Sequence, residues 1–208
     1  MATRSSSHRR TEVEPLIQVG IDYPSDRDKA MPEMIQNAAT GDSIEFIETA
    51  EQSGGRVSHF YMTLAPGSDW ARSPRHFHPF QKETFEVVEG ELHLHAGKTK
   101  HVLRPGDPKV VVERFQLHAF WNESDQPTKF IAEIFDPRNI ERGIRLTYKL
   151  SQDGAVNERN IPKNPLVTLL LMSWFDSYFP IIPWRLQRVG FGFGASIARL
   201  FGYPKNDD

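Results

Sequence analysis

The sequence predicts a mainly-β protein: one all-β sandwich or barrel carrying a C-terminal α-helical hairpin. Three observations carry this. Residues 43 to 150 hold short apolar runs that recur about every ten residues and stop at Gly or Pro turns. From Leu166 to Phe201 that alternation is replaced by longer, nearly continuous apolar stretches. The strand-rich zone shows no internal repeat, so a single barrel accounts for it.

The elements follow in order. Residues 1–41 read as an N-terminal tail and irregular arm, within which "MPEMIQNAA" could form a short helix. Residues 42–150 form the barrel. "SIEFIET" alternates Ile44 and Phe46 with polar neighbours, and "RVSHFYMTLAPG" is a second strand ending at Pro66–Gly67. "ETFEVVEG" and "ELHLHAG" each stop at a glycine, and "HVLRPGD" ends in a Pro-Gly-Asp turn. "KVVVERFQLHAFWN" and "KFIAEIFDP" complete the set, with "IRLTYKL" expected as one more strand. Residues 151–208 form a linker and helical extension. "LVTLLLMSWFDSYF" is apolar nearly all round, with Asp176 its single charge, and Pro180 and Pro183 break it. "WRLQRVGFGFGASIARLFGYP" reads as a second, more amphipathic helix. Its "GFGFG" lacks the spacing and strand-to-helix context of a nucleotide loop, and is expected to be small residues at a close helix contact.

Bulk properties exclude several function classes. The 208 residues, 38% hydrophobic and 11% aromatic, suffice for one domain with an appendage and a sizeable core. With 25 basic and 27 acidic residues the net charge is −2, which leaves no electrostatic case for nucleic acid. The absence of cysteine removes disulfides, zinc–thiolate sites, iron–sulfur clusters and thiol nucleophiles. "MATRSSSHRR" has no apolar segment of the secretory kind, so a cytoplasmic protein with a polar tail is expected.

The chemistry concentrates in "RHFHPFQKETFEVVEG", residues 75 to 90. Residues i and i+2 of a strand share a face, so His76 and His78 project together as a pair of metal ligands. Glu83 can return from the next strand with an oxygen ligand, and His118 in "ERFQLHAFWN" supplies a further imidazole. Three imidazoles and one carboxylate suit Fe(II), Mn(II), Ni(II), Zn(II) or Co(II), and the set does not choose among them. His93 and His95 repeat the HxH spacing but alternate with Leu92 and Leu94 and lack a following carboxylate, so they read as a polar strand face. His59 and His101 read as surface or rim residues. Trp70, Arg72 and Arg75 stand where a loop would cover the barrel mouth, and Arg114 shares strand parity with His118, which would turn it inward.

These motifs resemble those of small single-domain cupins of the type-2 family. HxH, four residues, Glu, six residues, Gly is matched by His76, His78, Glu83 and Gly90, and the family's His-x-x-x-Asn ending by His118 and Asn122. "LRPGD" at 103 to 107 is similar to the turn before the second motif. The chain departs where the family has Pro-x-Gly, since Glu113, Arg114 and Phe115 stand there; Trp70 replaces a glycine before the first histidine. The resemblance covers roughly residues 43 to 137 and implies a jelly-roll-like β-barrel with a divalent metal inside. It implies a metal-dependent enzyme on a small, mostly apolar organic molecule: an oxidoreductase or dioxygenase of secondary metabolism, with Glu83 as ligand and proton acceptor. A non-redox cyclase or isomerase resembling polyketide cyclases and a non-catalytic ligand-binding cupin are the alternatives. The apolar tail is expected to pack on the barrel or across a homodimer interface, with membrane-surface contact through 165–201 as the other reading.

Overall fold

The computed structural model describes residues 33–68 and 75–203; the N-terminal tail with His8, and Trp70 and Arg72, lie outside them. Nine strands occur among the described residues: β1 (Met34–Gln36), β2 (Ser43–Glu48), β3 (Val57–Leu64), β4 (Lys82–Glu89), β5 (Leu92–Ala96), β6 (Thr99–Leu103), β7 (Val110–Val112), β8 (His118–Trp121) and β9 (Thr128–Phe135). Three helices follow: α1 (Ile140–Gln152), α2 (Pro165–Phe175) and α3 (Trp184–Leu200). The strands form two antiparallel sheets, ordered β1-β2-β3-β9-β4-β7 and β6-β5-β8. The mainly-β reading with a helical hairpin holds, in the form of two facing sheets.

Alternation creates the core. Ile44 and Phe46 of β2, Phe60, Met62 and Leu64 of β3, Phe85 and Val87 of β4, and Leu92 and Leu94 of β5 are buried in one cluster with Phe130 and Ile134 of β9. Phe85 of the larger sheet meets Phe120 of the smaller at 5.4 Å between ring centroids, so the inner faces pack on one another. Gly90 ends β4 because nothing else fits. Its φ is +79°, and a Cβ there would lie 2.6 Å from the Pro127 carbonyl oxygen.

Three expectations are corrected. "IRLTYKL" is the body of α1. Ile140, Ile144 and Tyr148, four apart, join the sandwich core, while Leu146 and Leu150 pack on the helical core. An alternation that resembles a strand is here one helix serving two apolar clusters. The described part of "MPEMIQNAA" pairs with β2 as strand β1, Ile35 opposite Ile44, instead of forming a helix. In "GFGFG", Gly194 alone sits at a close contact, since its Cβ would strike Leu169 at 2.4 Å; Gly190 and Gly192 face open space.

The hairpin is well specified. The Asn164 side chain caps α2 by accepting from the Leu166 amide at 2.9 Å, and Pro165 occupies the first turn. Asp176 ends α2 in the left-handed region with φ 47°. Val167, Leu170, Leu171 and Trp174 pack against Ala195 and Ala198 of α3 as a second core. No helix among the described residues is long and apolar enough to cross a membrane.

Candidate metal centre

His76 and His118 are brought together by a backbone bridge. The His76 amide donates to the His118 carbonyl at 3.1 Å and the His118 amide to that of His76 at 2.8 Å. The extended 76–78 segment thus adds to the free edge of β8, and His78 returns to the same side as His76. Ring centroids are 4.4 Å apart for His76–His118, 5.0 Å for His76–His78 and 5.3 Å for His78–His118. One donor nitrogen from each of the three lies within 4.8 Å of the others, with His78 and His118 buried and His76 half-buried. Glu83, on the inner face of β4 in line with Phe85 and Val87, approaches two of them. Its carboxylate is 3.0 Å from His118 Nε2 and 3.5 Å from His78 Nε2.

The ring tautomers are set by backbone carbonyls, which only accept. His78 Nδ1 lies 3.1 and 3.2 Å from the carbonyl oxygens of Phe175 and Asp176, so it carries the proton. His118 Nδ1 likewise faces the Gln116 carbonyl at 3.1 Å. Both Nε2 atoms are therefore turned toward Glu83 and the histidine cluster. This is the arrangement a metal-binding imidazole needs, with Nε2 free and Nδ1–H held by an oxygen. The donor set fits a divalent ion of the nitrogen–oxygen class.

Electrostatics agree. Burial would push the Glu83 carboxyl up, but His78, His118 and His76 outweigh it and hold it down at about 2. Burial lowers His78, which keeps it neutral. Burial would lower His118 too, yet the adjacent Glu83 carboxylate raises it. The Glu83 carboxylate and the His118 ring thus each favour the other's charged form.

The helical hairpin supplies a support that the motifs did not reveal. The Phe175 and Asp176 carbonyls that orient His78 close α2, and Phe77, between the two histidines, exchanges both backbone hydrogen bonds with Tyr178 at 3.0 Å. The Asp176 carboxylate accepts from Arg138 at 2.8 Å and from the Tyr178 hydroxyl at 3.2 Å. Burial first, and then Asp176, push the Tyr178 phenol up, so it stays a donor. The available signal was Asp176 itself, one charge in an apolar run.

The remaining sequence candidates fall as follows. Asn122 is buried away from the cluster: its amide donates to the carbonyls of Ala65 and Gln126 at 3.0 and 2.7 Å and accepts from Ser124, tying two loops together. Phe115, where the resemblance leads one to expect glycine, adopts the left-handed backbone that glycine favours, with φ 63°. Its ring lies 6.0 Å from Phe77 and 5.9 Å from Trp184, so the turn survives and His118 is in place. Arg114 is exposed, not inward, because that turn ends the strand parity on which the inward reading relied. Arg75 is exposed, 3.5 Å from the Gly97 carbonyl. His93 and His95 pack on Trp121, and His93 contacts Glu91 at 3.1 Å, which makes them a polar strand face.

Parts of this chain are similar to known proteins. A family model described as "Cupin domain" matches residues 60–134. A protein of Arthrobotrys oligospora described as an oxidoreductase is 36% identical over 75 residues, 36% of this chain and 30% of that protein. The match thus spans under a third of that relative's length. Among solved structures, a sugar phosphate isomerase from a cupin superfamily of Silicibacter pomeroyi is 27% identical, covers 50% of this chain and 71% of its own, and has a TM-score of 0.42. A predicted oxalate decarboxylase of Thermotoga maritima is 22% identical over 51% of this chain and 93% of its own, with a TM-score of 0.40.

Proposed function

We propose that this chain, whose residues 60–134 belong to the cupin domain family, is a metal-dependent oxidoreductase acting on a small, mostly apolar organic molecule. The observation that carries this reading is the convergence of His76, His78 and His118 beside Glu83 at the end of an apolar sandwich. The oxidoreductase description of the Arthrobotrys relative supports the redox half.

A divalent ion of the nitrogen–oxygen class supplies Lewis acidity there and, if redox-active, electron exchange with dioxygen. The chain's own residues do the rest. His78 and His118 hold their Nε2 atoms toward Glu83 because backbone carbonyls hold their Nδ1 protons. Phe85 and Phe120, two residues on from Glu83 and His118 in their strands, meet at 5.4 Å and give the surroundings an apolar character that favours an apolar substrate. Glu83 is held ionised, with His118 Nε2 at 3.0 Å, so its oxygens are open to a substrate hydroxyl; the same imidazoles make it a weak base, so it takes a proton only from an acidic substrate group.

The same buried carboxylate also carries a second reading, in which these residues serve a non-redox isomerisation or cyclisation and Glu83 accepts an acidic substrate proton. One experiment separates them. Protein purified without an affinity metal is analysed for metal content, then assayed for oxygen uptake with phenols, aldehydes and diketones. Stoichiometric metal and substrate-dependent oxygen uptake is the expected result. Substrate conversion without oxygen uptake selects the base reading, and protein free of metal that also fails to take up Fe, Mn, Ni, Co or Zn overturns both.

A further inference from the structure

After the hairpin has packed, α3 still presents an apolar face to solvent. Leu186, Val189, Phe193 and Leu200 are 63%, 70%, 69% and 86% exposed. At 3.6 residues per turn these four fall within about 60° of arc. Gln187, Gly194, Ala195 and Ala198, the buried residues, lie on the opposite side. The apolar character continues past both ends, with Ile181 80% and Phe201 69% exposed. Isolated exposed apolar residues are ordinary, but a continuous stripe along a helix of about 25 Å marks a contact surface.

Charge identifies what it contacts. From Ser177 to Tyr203 there are three arginines and no acidic residue, in a chain whose net charge is −2. Arg185, Arg188 and Arg199 all flank the stripe on the same side, within about 60° of one another by the same helical period. Arg185 and Arg188 rest over the rings of Trp184 and Phe80, at 5.7 and 5.0 Å.

A second copy of the chain fits this face poorly. Antiparallel pairing of two such helices would bring the arginine flanks together with no acid on either segment to offset them, and parallel pairing would leave each flank without an acidic partner. An anionic bilayer surface fits both halves: acyl chains accept Leu, Val and Phe, and lipid phosphates accept the arginines.

We propose that the outward face of α3 is a monotopic docking surface for anionic lipid bilayers, lying in the interface plane with Leu186, Val189, Phe193 and Leu200 inserted and Arg185, Arg188 and Arg199 on the phosphates. This is independent of the reaction the metal centre performs.

The test is flotation of the full chain with phosphatidylcholine vesicles, with and without phosphatidylserine, alongside sedimentation equilibrium. Binding is expected to require phosphatidylserine and to weaken with salt. Arg185→Gln with Arg188→Gln should weaken it about 5-fold per arginine. Leu186→Asp with Phe193→Asp, both at exposed positions, should abolish binding while circular dichroism and metal content stay unchanged. Three results overturn the proposal: no vesicle binding at low salt, binding that survives the Asp double variant, or a dimer that this variant dissociates.

Discussion

Replacing Asp176 by alanine tests whether the helical hairpin holds the candidate metal centre in shape. The carboxylate is nearly buried and accepts from Arg138 at 2.8 Å, whose side chain is 36% exposed, and from the fully buried Tyr178 hydroxyl at 3.2 Å. Losing the ion pair, discounted for the exposure of Arg138, costs about 1 kcal/mol. Leaving the Tyr178 hydroxyl without an acceptor costs about 1–3 kcal/mol. Alanine at φ 47° adds about 1 kcal/mol over a residue that tolerates the left-handed region. The expected loss is therefore about 3–5 kcal/mol, a large part of the stability of an ordinary domain. Because the same residue's carbonyl orients His78 Nδ1, metal affinity should fall at least about 10-fold. Asp176→Asn keeps the backbone preference and one acceptor, so it should lose only about 1–2 kcal/mol and retain most of the metal affinity. Urea unfolding of the metal-free proteins and Co(II) or Zn(II) titration measure the two effects. An alanine variant with wild-type metal affinity would show that the hairpin does not position His78. Equal losses in the two variants would refute the assignment to backbone geometry.

Three further outcomes are expected. His76→Ala, His78→Ala and His118→Ala should each sharply reduce bound metal by elemental analysis, whereas Glu83→Gln should retain more metal but lose turnover, since an amide accepts no proton. In metal-free protein the Glu83 carboxyl lies below its unfolded value, at about 2. Its contribution to stability is therefore present above the unfolded value and is lost as pH falls from roughly 4 toward 2. Urea midpoints measured against pH should show that fall, and Glu83→Gln should flatten it; a wild-type slope in the variant would assign the acid sensitivity to other carboxylates. Gly90→Ala should destabilise by about 2–4 kcal/mol, because left-handed strain adds to overpacking against a backbone oxygen at 2.6 Å that no rotamer change can move; a urea midpoint unchanged from wild type would contradict the close approach.

What could be read from the chain was local and periodic. The alternation of Ile44, Phe46, Phe60, Met62, Phe85 and Val87 marks strands with one buried face, because a strand's side chains repeat every two residues. The positions of the candidate ligands were legible for the same reason: His76 and His78 share a face, and Glu83 shares one with Phe85. What stayed hidden depends on segments distant in sequence. The pairing of Phe77 with Tyr178 joins residues about a hundred positions apart, and no local period signals it. The same holds for the carbonyls of Phe175 and Asp176, since backbone atoms leave no mark in residue identity. Ile144, Leu146 and Tyr148 resembled a strand because two cores on different sides of one helix each claimed some of them. Phe115 shows the limit from the other direction: its identity argues against a left-handed turn, yet packing on Phe77 and Trp184 and the backbone bridge at His118 hold it there. Which apolar face of the hairpin is buried was likewise settled by packing: α2 covers the Ala195 and Ala198 side of α3 and leaves Leu186, Val189 and Phe193 outside.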